Sequence, residues 1–302
     1  MKKETLGTIL ALCTAIISGI AIPANKLFIV KLDPLLFTAI RSIIIGLIFL
    51  LISLVKSNFK IKNFKKSSWL NLLAIAIVGG ALAFYLYFSG VKLTTAGRAA
   101  FLHKTLPLYV AVLAFIFLKE KIDRKLAIAI ALMFVGTIVL YFGQIKPAEL
   151  WQNPSLGDML VIIATFLWGV ENIIARKVLR EGESNFVVSF ARMFFGGLIL
   201  FGVLLLLGKS NLLLSLTIEQ IRNIGISTLI LFGYVFTWYW AIKLINVSKA
   251  ATFLLISPVI SFVLGVVFMN EAFSNLQIVG SVLILIGSYF AIQTKSEMLE
   301  RL

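Results

Sequence analysis

AAFLHKTLPLYVAVLAFIFLKEKI, residues 99–122, and AATFLLISPVISFVLGVVFMNEAF, residues 250–273, align on one another at a separation of 151 residues. Ala99 and Ala100 meet Ala250 and Ala251, Pro107 meets Pro258, and Glu120 meets Glu271. Crossing about 30 Å of hydrocarbon takes roughly 20 mostly apolar residues, and each stretch supplies them. Neither alternates polar with apolar residues, so both read as helices and not as barrel strands. The alignment extends outward: Arg41 meets Arg192, Gly46 meets Gly197, Lys92 meets Lys243, Arg98 meets Lys249 and Gly136 meets Gly287. Nearer each repeat's start the separation is 150, pairing Gly7 with Gly157, Gly19 with Gly169 and Lys26 with Arg176. One residue is therefore inserted between Arg176 and Arg192.

Ten apolar runs of spanning length can be read, at 5–26, 34–55, 69–90, 96–118, 125–143, 156–176, 185–207, 221–242, 249–269 and 274–293. The first follows Lys2 and Lys3 as a signal peptide would. It continues past Ile22, longer than the apolar region of such a peptide, and reads as the first span. Composition agrees: 60% of residues are hydrophobic, only 14% are charged, and mean hydropathy is +1.04. A water-soluble particle of this size needs more polar surface than that. The net charge of +15 does not indicate nucleic acid, because the charges sit at the ends of apolar runs. Cys13 has no partner for a disulfide, and His103 is the only histidine, so no zinc site is expected. Of the 28 Lys and Arg, eighteen fall on the side of the N-terminus and seven on the other. That bias predicts a multi-pass plasma-membrane protein with both termini in the cytoplasm.

Five spans per half is an odd number, so the second half enters the bilayer upside down relative to the first. The expected fold is an all-α integral membrane protein of ten transmembrane helices in two inverted five-helix repeats, 1–147 and 148–302. Inverted repeats give two related arrangements open to opposite sides, which is the architecture of alternating-access transporters.

The two quoted stretches, with their small residues, mid-helix proline and terminal glutamate, resemble the drug/metabolite transporter superfamily, EamA type. So do Trp168–Gly169 followed by Lys177, Arg41 in FTAIRSIIIG, and Arg192 in VSFARMFFGG. The resemblance covers both halves; span 1 departs from it, carrying Ser18–Gly19 where Trp-Gly is usual. It implies a cavity lined by spans 1, 3, 4, 6, 8 and 9, with 5 and 10 peripheral. It does not specify a substrate.

Ionisable groups inside a bilayer are costly and point to function. Glu171 is the one acidic residue well inside a span. It can bind a proton or a cationic part of a substrate, or serve as structural partner to a base or to an amide such as Asn172. His103 and Lys104 lie about two turns into span 4, just before Pro107, and their repeat mates are Leu254 and Leu255. A symmetric scaffold does not require that polarity, so they read as a cationic site for a carboxylate or phosphate. The competing reading has Lys104 snorkelling to the interface and His103 bonded to a neighbouring helix. Pro107 and Pro258 are expected helix breaks, tolerated where backbone faces a cavity. Arg41 and Arg192 enter their spans from opposite faces and suit gates or structural locks, with snorkelling to the interface the equal alternative. Glu120 and Glu271 are expected at the interface. Trp168, Tyr234 and Trp238 can stack on a substrate or pack in the core.

The function expected is a secondary transporter exporting a small polar metabolite, an amino acid or related organic anion, with no cofactor and no metal. Its partners are a small-molecule substrate and the lipid bilayer, not nucleic acid, in a monomer or homodimer. The alternatives are cation or drug efflux, an intramembrane enzyme acting on a lipid-linked substrate, and a channel. Enzymes of that kind need paired carboxylates, a metal set or a nucleophile with its base, and one buried acid with one histidine is too few.

Overall fold

The computed structural model describes residues 3–28, 32–56, 66–143 and 155–296. Among them ten helices are long and apolar enough to cross a membrane. They are α1 (Lys3–Asn25), α2 (Pro34–Val55), α3 (Trp69–Leu93), α4 (Gly97–Leu118), α5 (Arg124–Phe142), α6 (Leu156–Arg180), α7 (Asn185–Leu206), α8 (Ile218–Leu244), α9 (Val247–Phe268) and α10 (Asn275–Gln293). The described residues contain no strand. The expected repeat boundary at 147/148 and both chain termini lie outside the described residues.

Helix ends show why the chain folds at these points. Asp33, Thr95 and Asp123 are the N-caps of α2, α4 and α5, and Ser184, Asn246 and Ser274 hold the same positions for α7, α9 and α10, each 151 residues later. The side chains of Asp33, Thr95, Asp123 and Ser184 accept amides that a helix start leaves free, whereas that of Asn246 does not. The matched C-termini are equally regular. Lys119 and Asn270 close α4 and α9 with left-handed φ of 55° and 52°. The amides of Glu120 and Glu271 then bond back to the carbonyls of Ala114 and Gly265, at 3.2 and 3.1 Å. Because Ser184 already stands at the 151 separation, the inserted residue lies between Arg176 and Ser184, a stretch that includes the turn Gly182 makes at φ 100°.

The helices run alternately up and down. One end of the bundle, where α1 begins and α10 ends, is called here the near face, and the other the far face. Packing follows an approximate twofold relation: α1 lies on α8 and α9 as α6 lies on α3 and α4, while α2 packs on α7 and α5 on α10 across the relation. The α5–α10 pair stands at the periphery. Small residues allow the crossings: Gly80 meets Gly196, and Gly136 meets Gly280. Large apolar side chains such as Leu51, Val112, Phe115, Phe117 and Leu206 remain exposed on the outside, where lipid would cover them.

Two kinds of irregularity interrupt the helices. The stretches Ile75–Leu82 of α3 and Ala191–Phe195 of α7 are wound as π-helix and touch one another. α4 breaks at Lys104–Thr105 just ahead of Leu106–Pro107, and α9 passes through a 3₁₀ turn, Leu254–Ile256, just ahead of Ser257–Pro258. A proline cannot donate to the carbonyl one turn back, so both helices change winding where the ladder is cut.

At the far face Asp33 Oδ1 accepts the Leu35 and Leu36 amides at 2.8 and 3.3 Å, and Oδ2 accepts Lys209 Nζ at 2.7 Å. Partial burial opposes the charged carboxylate, but the Lys209 ammonium and the two amides outweigh it and hold Asp33 below its ordinary value of 3.8. Asp33→Ala removes the cap and the ion pair and is expected to lower stability by about 1 kcal/mol at neutral pH. Since the folded group titrates below the unfolded one, this contribution is full above pH 3.8 and fades as pH falls through the folded value. Melting curves of wild type and variant at pH 7 should therefore lie apart and converge in acid.

Candidate functional site

Three groups of side chains meet inside the bundle. The first is aromatic and comes from α3, α4 and α6. His103 lies 5.5 Å from Tyr87 and 5.0 Å from Trp168, centroid to centroid, with Tyr87 and Trp168 5.3 Å apart. Phe84 closes the group at 5.2 Å from Trp168. The Trp168 indole N–H donates to the Gly79 carbonyl at 3.0 Å, which fixes the ring against the π-wound part of α3. His103 Nδ1 is buried without a hydrogen-bond partner.

The second group is Lys104 with Ser257. The break in α4 turns Lys104 toward α9, where Nζ donates to Ser257 Oγ at 2.6 Å. Ser257 in turn donates to the Leu254 carbonyl at 2.7 Å. Lys104 is 5% exposed, so it does not snorkel to the interface. The two helix breaks are thus bridged by a cation whose repeat mate is a leucine.

The third group joins α6, α7 and α8. Glu171 accepts the Tyr239 hydroxyl at 2.5 Å, and its Oε2 stands 3.8 Å from Arg192 Nη2. Oε2 itself has no hydrogen bond, nor has Arg192 Nε. Asn172 Oδ1 accepts the Trp238 indole N–H at 2.9 Å, and Tyr234 stacks on Trp238 at 6.4 Å. Trp168, Glu171 and Asn172 are three and four residues apart on α6, which puts them on one face. Arg192 is also 5.8 Å from the rings of Phe84 and Tyr239, linking the third group to the first.

Arg41 belongs elsewhere. It stacks over Phe37 and donates to Ser227 Oγ at 2.7 Å; Ser227 passes the bond to Asn25 Oδ1 at 2.6 Å. That chain ties α1, α2 and α8 near the far face. The two arginines, matched in sequence, have unrelated partners: Arg192 is the counter-charge of Glu171, while Arg41 meets only neutral groups. Both are buried, so neither snorkels.

The near face is sealed by a residue the sequence placed at the interface. Glu120 is 1% exposed and accepts the amides of Val247 and Ser248 at 3.0 and 3.2 Å and the Ser248 hydroxyl at 2.7 Å. Arg176 Nε lies 3.5 Å away and Arg180 Nη2 3.9 Å. Contact with the start of α9 and with Arg176 buries the Glu120 carboxylate, while its lysine neighbours made it look solvated. Tyr87, Tyr239, Ser257 and Ser248 were likewise not singled out as site residues. Their residue types are common in spans, and only packing shows what they touch. Among the described residues no three His, Cys, Asp or Glu side chains gather as metal ligands would.

The sequence pattern of the EamA-like transporter family matches residues 5–142 and again 155–293. A Clostridium kluyveri protein described as an uncharacterized transporter is 27% identical over 95% of this chain and 92% of its own. The Bacillus subtilis uncharacterized transporter YoaV is 22% identical over 96% of each. A further uncharacterized transporter, from Methanothermobacter thermautotrophicus, is 22% identical over 95% of this chain and 86% of its own. One solved crystal structure, 18% identical, superposes with a TM-score of 0.79 over 95% of this chain and 96% of that one, which shows a shared fold.

Removing one partner of a buried ion pair leaves the other uncompensated, at a cost of about 3–5 kcal/mol. Arg192→Leu is expected to lower thermal stability in detergent by that order. The double variant Arg192→Leu/Glu171→Gln should recover most of the loss, and unfolding curves of the three proteins check it.

Proposed function

Since the chain belongs to the EamA-like transporter family, we propose that it exports a small carboxylate-bearing metabolite, an amino acid or a related organic anion, by alternating access. The observation that carries this reading is Lys104. It is a buried cation at the meeting of two broken helices, next to His103 and the Tyr87–Trp168 aromatic group, and the second repeat has no counterpart to it. A lysine ammonium suits a carboxylate, and the aromatic faces suit an apolar or aromatic remainder. Glu171 would be the natural ligand for a cationic drug, but Arg192 and Tyr239 already occupy it. That favours an anion or zwitterion over an amine.

Lys and Arg placement supports a cytoplasmic near face. With that orientation the structure reads as outward-open. All fifteen residues 245–259, around the near-face half of α9, are buried. Their repeat counterparts 94–108, at the far face, are mostly half-buried or exposed.

A panel of amino acids, organic anions and amines should be scored by thermal stabilisation of the purified protein. A true substrate at 100 times its Kd adds about 2.7 kcal/mol to the folded form. Carboxylate-bearing ligands are expected to stabilise wild type, and Lys104→Leu to weaken them about tenfold or more. Stabilisation by amines alone, undiminished in Lys104→Leu and abolished in Glu171→Gln, would place cation efflux first.

A further inference from the structure

Glu120 and Glu271 are repeat mates with the same left-handed residue before them and the same return hydrogen bond, yet their carboxylates are in opposite situations. Glu120 is buried and caps the first amides of α9, those of Val247 and Ser248. Glu271 is exposed at the far end of α9, folded back over Gly265, and its carboxylate makes no hydrogen bond or ion pair among the described residues. The positions matching Val247 and Ser248 are Ala96 and Gly97, which open the eight-residue helical segment Ala96–His103 of α4. The first amides of a helix have no acceptor within it, and the cap of this one, the Thr95 hydroxyl, accepts the Arg98 amide, at 3.3 Å. The acceptor and the donors that form the near-face seal therefore both exist at the far face, unconnected.

We infer that Glu271 is the far-face latch: when the far face closes, its carboxylate caps the Ala96 and Gly97 amides of α4 as Glu120 now caps α9, while Glu120 releases its own amides. This rests on the alternating-access reading above. The physical reasons are the same at both ends. A carboxylate at a helix start accepts charge-assisted hydrogen bonds from amides that have no partner within the helix, and it meets the positive end of the helix dipole. Each carboxylate can satisfy its target in one arrangement only, so the two latches stabilise opposite states. The machinery is symmetric even though the groups around Lys104 and Glu171 are not.

Accessibility of repeat-matched cysteines tests this in proteoliposomes, with Cys13 replaced by serine. Ala100→Cys reports the far face and Ala251→Cys the near face; Ala251 is fully buried here and Ala100 half-buried. Glu271→Gln, at an exposed position that should not impair folding, is expected to slow maleimide labelling of Ala251→Cys about tenfold and to speed labelling of Ala100→Cys. Glu120→Gln should do the reverse. If Glu271→Gln leaves both rates as in wild type while Glu120→Gln shifts them, the latch is overturned and alternating access stands. If Glu271→Gln leaves them unchanged and Glu120→Gln does not fold, the latch is equally overturned. Should neither a variant nor a bound substrate alter either rate, alternating access itself falls, and the latch with it.

Discussion

Hydrocarbon supplies no hydrogen-bond partner, so each polar group buried in a bilayer must find one in the protein. The interior of this chain is organised by that requirement. Trp168 reaches a backbone carbonyl on α3, Trp238 an amide oxygen on α6, Lys104 a hydroxyl on α9, and Arg41 a hydroxyl on α8. Each bond crosses between helices, and together they fix how the spans sit on one another more specifically than apolar contact can. The atoms left over are correspondingly informative. Eight buried side-chain atoms of the described residues lack a hydrogen bond; His103 Nδ1, Glu171 Oε2 and Arg192 Nε lie in the connected groups around Trp168 and Phe84, and the others, on Ser42, Ser53, Arg176 and Asn246, lie outside them. Buried polar atoms that natural proteins leave unpaired tend to mark functional places.

The spans and their repeat were legible because hydropathy and position along the chain are one-dimensional properties. Apolar runs of about 20 residues declare themselves, and charges, glycines and prolines recurring in order at one separation cannot arise from shared greasiness. The caps at Asp33 and Ser184, Thr95 and Asn246, and Asp123 and Ser274 carry the same repeat. They could have been read from the sequence too, since they are small polar residues directly before apolar runs.

What could not be read was partnership. Glu171, Arg192 and Tyr239 belong to three helices, and nothing in their spacing says that one carboxylate receives the other two. Matching Arg192 with Arg41 by repeat led toward paired gates, whereas packing gave one arginine a carboxylate and the other a serine. Glu120 shows a second limit. Flanked by Lys119 and Lys121, it has the composition of a solvated helix end. What buries it is the start of α9, whose first two amides it accepts, a contact that its neighbours in sequence do not reveal.

The ties at the two ends of the bundle also define which helices belong together mechanically. At the near face Lys249 of α9 holds Glu4 of α1 at 3.2 Å and the carbonyl of Thr294, just past α10, while Glu4 accepts the Ser296 amide at 2.8 Å. At the far face Arg98 of α4 is bonded to Asp158 of α6. One clasp thus gathers α1, α9 and the end of α10, and the other gathers α4 and α6, with α8 lying on the first set and α3 on the second. The seam between these sets runs along the line where α4 faces α9. Each set draws helices from both halves of the sequence, so the ties that hold neighbouring helices together do not follow the boundary between the two repeats.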